Sequence, residues 1–160
     1  MMTQSLENQI SQVLERAVSF ASEEQINVYT FSFYLDHESR AISVCIDTRE
    51  NSKNKVIEEN SYNSEYFHKC IDEMDLEGAQ MWCANPGRNL SLGDFRYVNV
   101  GREDLLESSS DEKVCEAMLK TLIEFEGVVS RLTEKPDELL LSCSTADDEL
   151  GLTWTVTNAA

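Results

Sequence analysis

The strongest constraint on the fold is the alternation of apolar and polar residues between residues 28 and 47. Before a polar turn at residues 36–39, the apolar positions fall on one face of a strand: Tyr29, Phe31, Phe33 and Leu35. After the turn, the alternation resumes with Ile42, Val44 and Ile46. Side chains of a strand point to opposite faces in turn, so this pattern predicts two antiparallel strands that form a hairpin with one buried face.

Helical spacing precedes and follows this hairpin. A helix is predicted from about residue 4 to residue 22, because apolar residues recur there at steps of three and four: Leu6, Ile10, Val13, Leu14, Ala17 and Val18. A second strong stripe runs from Val114 to Ile123, and Ser109 and Glu112 before it have the spacing of a capping box.

The segment between the hairpin and that second stripe is more polar. The sequence allows a short helix around residues 53–59 and predicts a better one that starts at Asn63 or Ser64. The apolar stripe of this helix is Tyr66, Phe67, Cys70, Ile71 and Met74. Met81 and Trp82 are predicted to be buried, and a short extended piece is expected around Phe95 and Tyr97.

Two further strands are predicted near the end of the chain. Residues 139–143 form an apolar run, and Leu152, Trp154 and Val156 alternate with threonines after an acidic loop at residues 147–151. The order of elements is a helix, two strands, helices, a long helix and two strands. This order predicts a single α+β domain over residues 1–160, with helices packed on a mainly antiparallel sheet.

Charge limits the partners of the chain. Thirteen basic and 30 acidic residues give a formal net charge of −17. Such an excess repels phosphate backbones and anionic lipids, so we expect neither nucleic-acid nor membrane binding, and a cationic partner is favoured. The start of the sequence shows no signal peptide, and five scattered cysteines fit reduced thiols, so a cytoplasmic location is expected.

The sequence offers no strong catalytic or metal-binding motif. His68 and Cys70 are a single close pair, whereas zinc needs three or four ligands. Residues 73–78 resemble the start of a calcium loop, but Ala84 stands where the closing glutamate is required. We therefore expect no metal, no cofactor and no catalytic activity. A small hydrolase-type enzyme with an unrecognised carboxylate pair or Cys–His pair stays an open alternative.

Acidic residues cluster at two places that are far apart in the sequence. Glu103, Asp104 and Glu107 precede the long helix, and Asp147, Asp148 and Glu149 fill the last hairpin loop. Such clusters are common on solvated surfaces. The functional interpretation is a negative patch that steers a basic protein partner, and these residues are the candidate contacts. Trp82 and Trp154 are possible anchors of an interface, although core packing is the more common role.

Three blocks carry a family resemblance: residues 28–35 with 43–48, residues 81–84 with 95–99, and residues 139–144 with Asp147, Asp148 and the end at residues 157–158. In these blocks the chain resembles a family of small bacterial proteins of unknown function, four-three-zero-three in the domain-of-unknown-function series. The relatives of that family look like immunity proteins encoded beside polymorphic toxins. The resemblance implies no catalytic residue.

What the resemblance implies is a binder that neutralises a cognate toxin, and many such toxins are basic nucleases. An inhibitor that covers a phosphate-binding cleft must itself be negative, which agrees with the charge. The sequence leaves open a third class, a non-catalytic adaptor, which would show an exposed apolar patch. It leaves the oligomeric state open as well.

Overall fold

A computed structural model describes residues 2–106 and 108–156 of the chain. Over these residues, five α-helices and five strands follow one another in the order α1 (Met2–Glu23), β1 (Thr30–Asp36), β2 (Ala41–Asp47), α2 (Arg49–Asp72), α3 (Leu76–Gln80), β3 (Tyr97–Asp104), α4 (Asp111–Glu124), α5 (Glu126–Ser130), β4 (Leu140–Cys143) and β5 (Leu152–Thr155). Short 3-10 turns cover Leu92–Asp94 and Pro136–Glu138. The predicted α+β class is confirmed.

The strands form a sheet in the order β3-β2-β1-β4-β5. β1 and β2 are the predicted hairpin, and their register pairs Phe31 with Ile46 and Leu35 with Ile42. β4 runs parallel to β1, whereas the other neighbouring pairs are antiparallel. The prediction of a mainly antiparallel sheet is therefore confirmed, with one parallel pair at its centre.

One face of the sheet holds the main hydrophobic core. Phe31, Phe33 and Leu35 of β1 are completely buried on this face. α1 packs across β2 and β3, and α4 packs across β1 and β4. These two helices contribute Ile10, Leu14, Met118 and Leu122 to the core, as their apolar spacing predicted.

The opposite face is built from small polar side chains. Ser32, Ser43 and Ser142 are completely buried there, and Ser32 of β1 lies beside Ser142 of β4. The segment at residues 85–96 crosses this face and covers it with Leu92 and Phe95. Polar positions of an alternating strand normally face solvent, but in this sheet they are buried.

Arg88 fastens this covering segment to the sheet. Its guanidinium donates hydrogen bonds to the carbonyl oxygens of Tyr29 and Glu138, at 2.9 and 2.7 Å, and to the hydroxyl of Thr30 at 3.1 Å. The same group lies over the ring of Tyr29, 3.7 Å from its centroid. Partial burial lowers the pKa of Arg88, and the three acceptors compensate the cost of placing a cation there.

Two predicted helix boundaries are wrong. Residues 49–72 form one continuous helix, not two helices, because this stretch holds no proline or glycine to interrupt it. Its N-cap is Thr48, whose hydroxyl accepts a hydrogen bond from the amide of Asn51. The cap of α4 is Ser110, whose hydroxyl accepts from the amide of Lys113, one residue after the predicted Ser109.

α2 and α3 pack on each other, and we call them, with the turn that follows them, the arm (residues 49–84). α2 spans about 36 Å at the rise of an α-helix, yet Ser52 is its one buried residue among those described. The chain after α3 returns along α2, where Asn60 exchanges hydrogen bonds with the backbone of Asn85. Trp82 stacks on Tyr66 there, with ring centroids 4.7 Å apart.

The root of the arm is held by Asp47, at the end of β2. Its buried carboxylate accepts hydrogen bonds from two backbone amides, those of Thr48 and Arg96, and from the side-chain amides of Asn51 and Asn89. Neutral donors of this kind stabilise a buried carboxylate. Asp47 thus connects the sheet, the start of α2 and the covering segment.

Candidate functional site

The strand order brings the two acidic clusters to the same end of the sheet. β1 and β4 are parallel and end there, and Asp104 at the end of β3 pairs with Ala41 at the start of β2. The loop after β4 begins beside β1, because the amide of Leu35 donates a hydrogen bond to the hydroxyl of Ser144. We call this the acidic end, defined by Glu103, Asp104, Asp147, Asp148 and Glu149.

The separation of the two clusters follows from the strand spacing. Two strands lie between β3 and β4, which places the clusters about 14 Å apart across the sheet. Such a span lies within the width of one protein–protein interface. Both clusters are therefore able to face one partner at the same time.

The residues of the first cluster differ in their surroundings. Glu103 is partly buried and forms an ion pair with Arg16 of α1, with 2.8 Å between Nη2 and Oε2. Asp104 is exposed, and its backbone carbonyl accepts a hydrogen bond from Gln9. Glu107, the third candidate, lies outside the described residues. Asp104 is thus better placed than Glu103 to meet a partner.

The second cluster lies on a loop with its own hydrogen bonds. The amide of Thr145 donates to the carbonyl of Asp148 at 2.8 Å, and the amide of Asp148 donates to the hydroxyl of Thr145 at 3.1 Å. Asp147, Asp148 and Glu149 are all exposed on this loop. Their carboxylates are displayed from an ordered turn, which lowers the entropy lost when a partner binds.

Basic residues at the acidic end pair with other carboxylates. Arg102 donates to Asp36 at 2.9 Å, and this hydrogen bond lowers the pKa of Asp36. Arg40 pairs with Asp111 at the start of α4. These basic groups are thus directed at neighbouring carboxylates, while Asp104, Asp147 and Asp148 are exposed. Glu149 is exposed as well, but its carboxylate accepts a hydrogen bond from the hydroxyl of Tyr34 at 3.5 Å.

The Cys–His alternative gains no support from the described geometry. His37 Nδ1 lies 2.8 Å from Asp111 Oδ2, and His68 Nδ1 lies 2.7 Å from the carbonyl oxygen of Ser64 on its own helix. Burial raises the pKa of Cys115 to about 11 and the pKa of Cys143 to about 12. These two thiols stay protonated at neutral pH and are poor nucleophiles.

A polar cleft of about 620 Å³ lies between α2, the covering segment and the loop after β4. Lys55, Glu59, Asp94 and Glu149 are the charged residues of its lining, which contains neither histidine nor cysteine. No group of three His, Cys, Asp or Glu side chains in residues 2–106 and 108–156 is arranged to hold a metal ion. The calcium-like segment is a helix junction, where the carboxylate of Asp75 accepts from the amide of Gly78.

The arm is the surface that sequence reasoning missed. Met81 was predicted to be buried, and this is wrong, because 78% of its surface is exposed. Met74 and Leu76 are 83% and 68% exposed. The apolar spacing up to Met74 predicted a helix face packed on the core. Such spacing identifies an apolar face but does not identify the element that covers it. Trp82 is partly buried, within the arm's own aromatic cluster.

No helix in the described part of the chain is long and apolar enough to span a bilayer. Comparisons with models of protein families, with curated proteins and with solved structures found no match to this chain.

Proposed function

We propose that this chain is a cytoplasmic bacterial immunity protein that binds a cognate basic toxin and neutralises it by covering its active site or a surface beside it. The observation that carries the proposal is the strand order, which gathers two acidic clusters from distant parts of the sequence at one end of the sheet. The formal charge of −17 supports it, because negative potential attracts a basic partner over a distance.

In this mechanism the acidic end acts first through electrostatic steering. Exposed carboxylates raise the association rate with a cationic surface, and they disfavour partners of like charge. Asp104 and the loop at residues 147–149 would then lie on either side of the contact. Inhibition needs no chemistry from this chain, since occlusion of a phosphate-binding cleft excludes the nucleic acid.

The test uses a toxin that has a basic C-terminal domain and is encoded next to the gene for this chain. We expect a stable complex with that toxin, and survival of cells that express both proteins. Asp104→Asn, Asp147→Asn and Asp148→Asn together should lower the association rate about tenfold at low salt. The control is Glu23→Gln with Glu24→Gln, two exposed acids at the far end of α1, which should change the rate far less per charge removed.

Absence of a complex, or equal effects of the two sets of substitutions, would contradict the proposal. A second candidate function, a non-catalytic adaptor, is favoured by the exposed apolar residues of the arm. An adaptor would bind its partner without protecting cells from a toxin, so the survival measurement separates the two functions.

A further inference from the structure

Exposed apolar side chains are concentrated on the arm. Three of the four most exposed large hydrophobic residues of the described chain lie within eight residues around α3, and we call them the tip patch: Met74, Leu76 and Met81. Ile71, Tyr62 and Ile57 continue exposed apolar surface along α2. An unpartnered apolar surface rimmed by polar residues is typical of a protein interaction site.

The architecture explains why the core cannot absorb these side chains. The main packing of α3 is against α2, and neither helix is among the elements that pack closely on the core face of the sheet. Asp75 caps α3 through the amide of Gly78, which fixes Leu76 at the first turn of α3. The aromatic cluster of Tyr62, Tyr66 and Trp82 holds the returning chain against α2. The cap of α3 and the aromatic cluster therefore hold the backbone around the tip patch in place.

The charge around the tip patch selects among possible occupants. Residues 57–84 contain seven acidic residues and one lysine, which gives a net charge of −6 with His68 neutral. Two copies of the arm would repel each other, and an anionic lipid surface would repel it as well. A partner with cationic groups around an apolar centre meets both the charge and the apolar side chains.

We propose that the tip patch docks a basic protein surface whose centre is apolar, such as a cationic amphipathic helix. Methionine suits this role, because its flexible thioether adapts to the shape of a partner. The site is separate from the acidic end, and its choice of partner follows from the arm's own charge. This inference therefore goes beyond the proposed immunity function and does not depend on it.

The probe is a synthetic amphipathic helical peptide of leucine and lysine, labelled for fluorescence anisotropy, with the same peptide carrying glutamate for lysine as its counterpart. The lysine peptide should bind the full chain, and the glutamate peptide should not. Met74→Ser with Leu76→Ser should weaken binding about tenfold, as expected for two central apolar contacts. Asp72→Asn, Glu73→Gln and Glu77→Gln together should weaken it and reduce its salt dependence.

Two controls locate the contact. Leu106→Ser with Ile123→Ser removes two exposed apolar side chains outside the arm, and it should change the affinity less than twofold. Asp147→Asn with Asp148→Asn at the acidic end should also change it less than twofold. Weaker binding only in the acidic-end variant would overturn this inference and leave the immunity proposal standing.

Other results would overturn it too. These are no binding of the lysine peptide, equal binding of the glutamate peptide, or stronger binding to phosphatidylcholine vesicles than to the lysine peptide. Light scattering would also overturn it if the chain forms a dimer and Met74→Ser with Leu76→Ser abolishes that dimer. The tip patch would then bind a second copy of the chain. The toxin-binding assay does not enter any of these readouts, so the two proposals fail separately.

Discussion

The arm and the rest of the molecule are built from similar apolar patterns with opposite outcomes. We call α1, α4 and the sheet the body. The apolar stripe of α1 is buried against the sheet, with Ile10, Leu14 and Ala17 completely enclosed. In the apolar stripe of α2, Ile71 is exposed, and so is Met74, which follows the end of the helix. The comparison shows that helical periodicity identifies an apolar face of a helix. Whether this face is buried in the core or exposed depends on whether the helix packs on the sheet.

The largest expected effect contrasts a core residue of the body with an exposed residue of the arm. Phe33→Ala should lower the free energy of unfolding by about 4 kcal/mol, because it opens a cavity in the closed core. Ile57→Ala, which is half exposed on α2, should lower it by less than about 0.5 kcal/mol. Urea denaturation followed by circular dichroism measures both, and similar losses would contradict the division into body and arm.

The next effect tests the junction between the two regions. Asp47→Ala should lower the free energy of unfolding by about 2–3 kcal/mol, because the side-chain amides of Asn51 and Asn89 and the backbone amide of Arg96 lose a shared buried acceptor. Asp94→Ala, an exposed aspartate on the covering segment, serves as the control and should cost little. Hydrogen exchange should show faster opening of the start of α2 in the Asp47 variant, and unchanged exchange would refute this role.

Thiol chemistry provides a contrast of intermediate size. Burial raises the folded-state pKa of Cys115 and Cys143 above 9, to about 11 and about 12, so the folded state keeps protons that the unfolded state releases. Stability from these groups is complete below pH 9 and is lost as the pH rises towards 11–12. Cys115→Ala with Cys143→Ala should flatten this loss, as measured by denaturation at several pH values.

The arm supplies the comparison for that measurement. Cys83 is exposed, so it should react with a thiol reagent at pH 8 in the native state while Cys115 and Cys143 stay protected. All five thiols should react after unfolding. Native-state labelling of Cys143 at the rate of Cys83 would contradict the buried assignment.

The smallest effect concerns two serines of β4 and its following loop. Ser144 is hydrogen bonded to Leu35 and Glu149, so Ser144→Ala should lower the free energy of unfolding by about 1 kcal/mol. The hydroxyl of Ser142 is buried with no hydrogen-bond partner, so Ser142→Ala should leave stability unchanged or raise it by up to about 1 kcal/mol. Opposite signs in thermal denaturation support the assignment, and equal losses would contradict it.

Local pattern was enough to predict most of the body. The alternation at residues 28–47 reproduced β1 and β2, and the apolar spacing reproduced α1 and α4, because each pattern directs its side chains to one face. The continuity of α2 was missed, because Asn63 and Ser64 are frequent caps and were interpreted as a helix start. In the folded chain they are interior positions of α2, a stretch with no proline or glycine to stop the helix.

The candidate site was predictable only in part. The acidic clusters are visible in the sequence, but their meeting at one end depends on the parallel pairing of β1 with β4, which no local pattern encodes. The exposure of Met74 and Met81 depends likewise on which elements α2 and α3 pack against. Both features depend on contacts between residues far apart in the sequence, so no single segment predicts them.

The central place of β1 has a consequence for biosynthesis. β2 follows β1 immediately, but β4 reaches its other side only after residue 139, with the whole arm synthesised in between. A nascent chain therefore carries an open strand edge on β1 until residue 143 has left the ribosome. Open edges are templates for aggregation and distant pairings form slowly, so chaperone dependence during translation should exceed that of a chain whose sheet closes in sequence order.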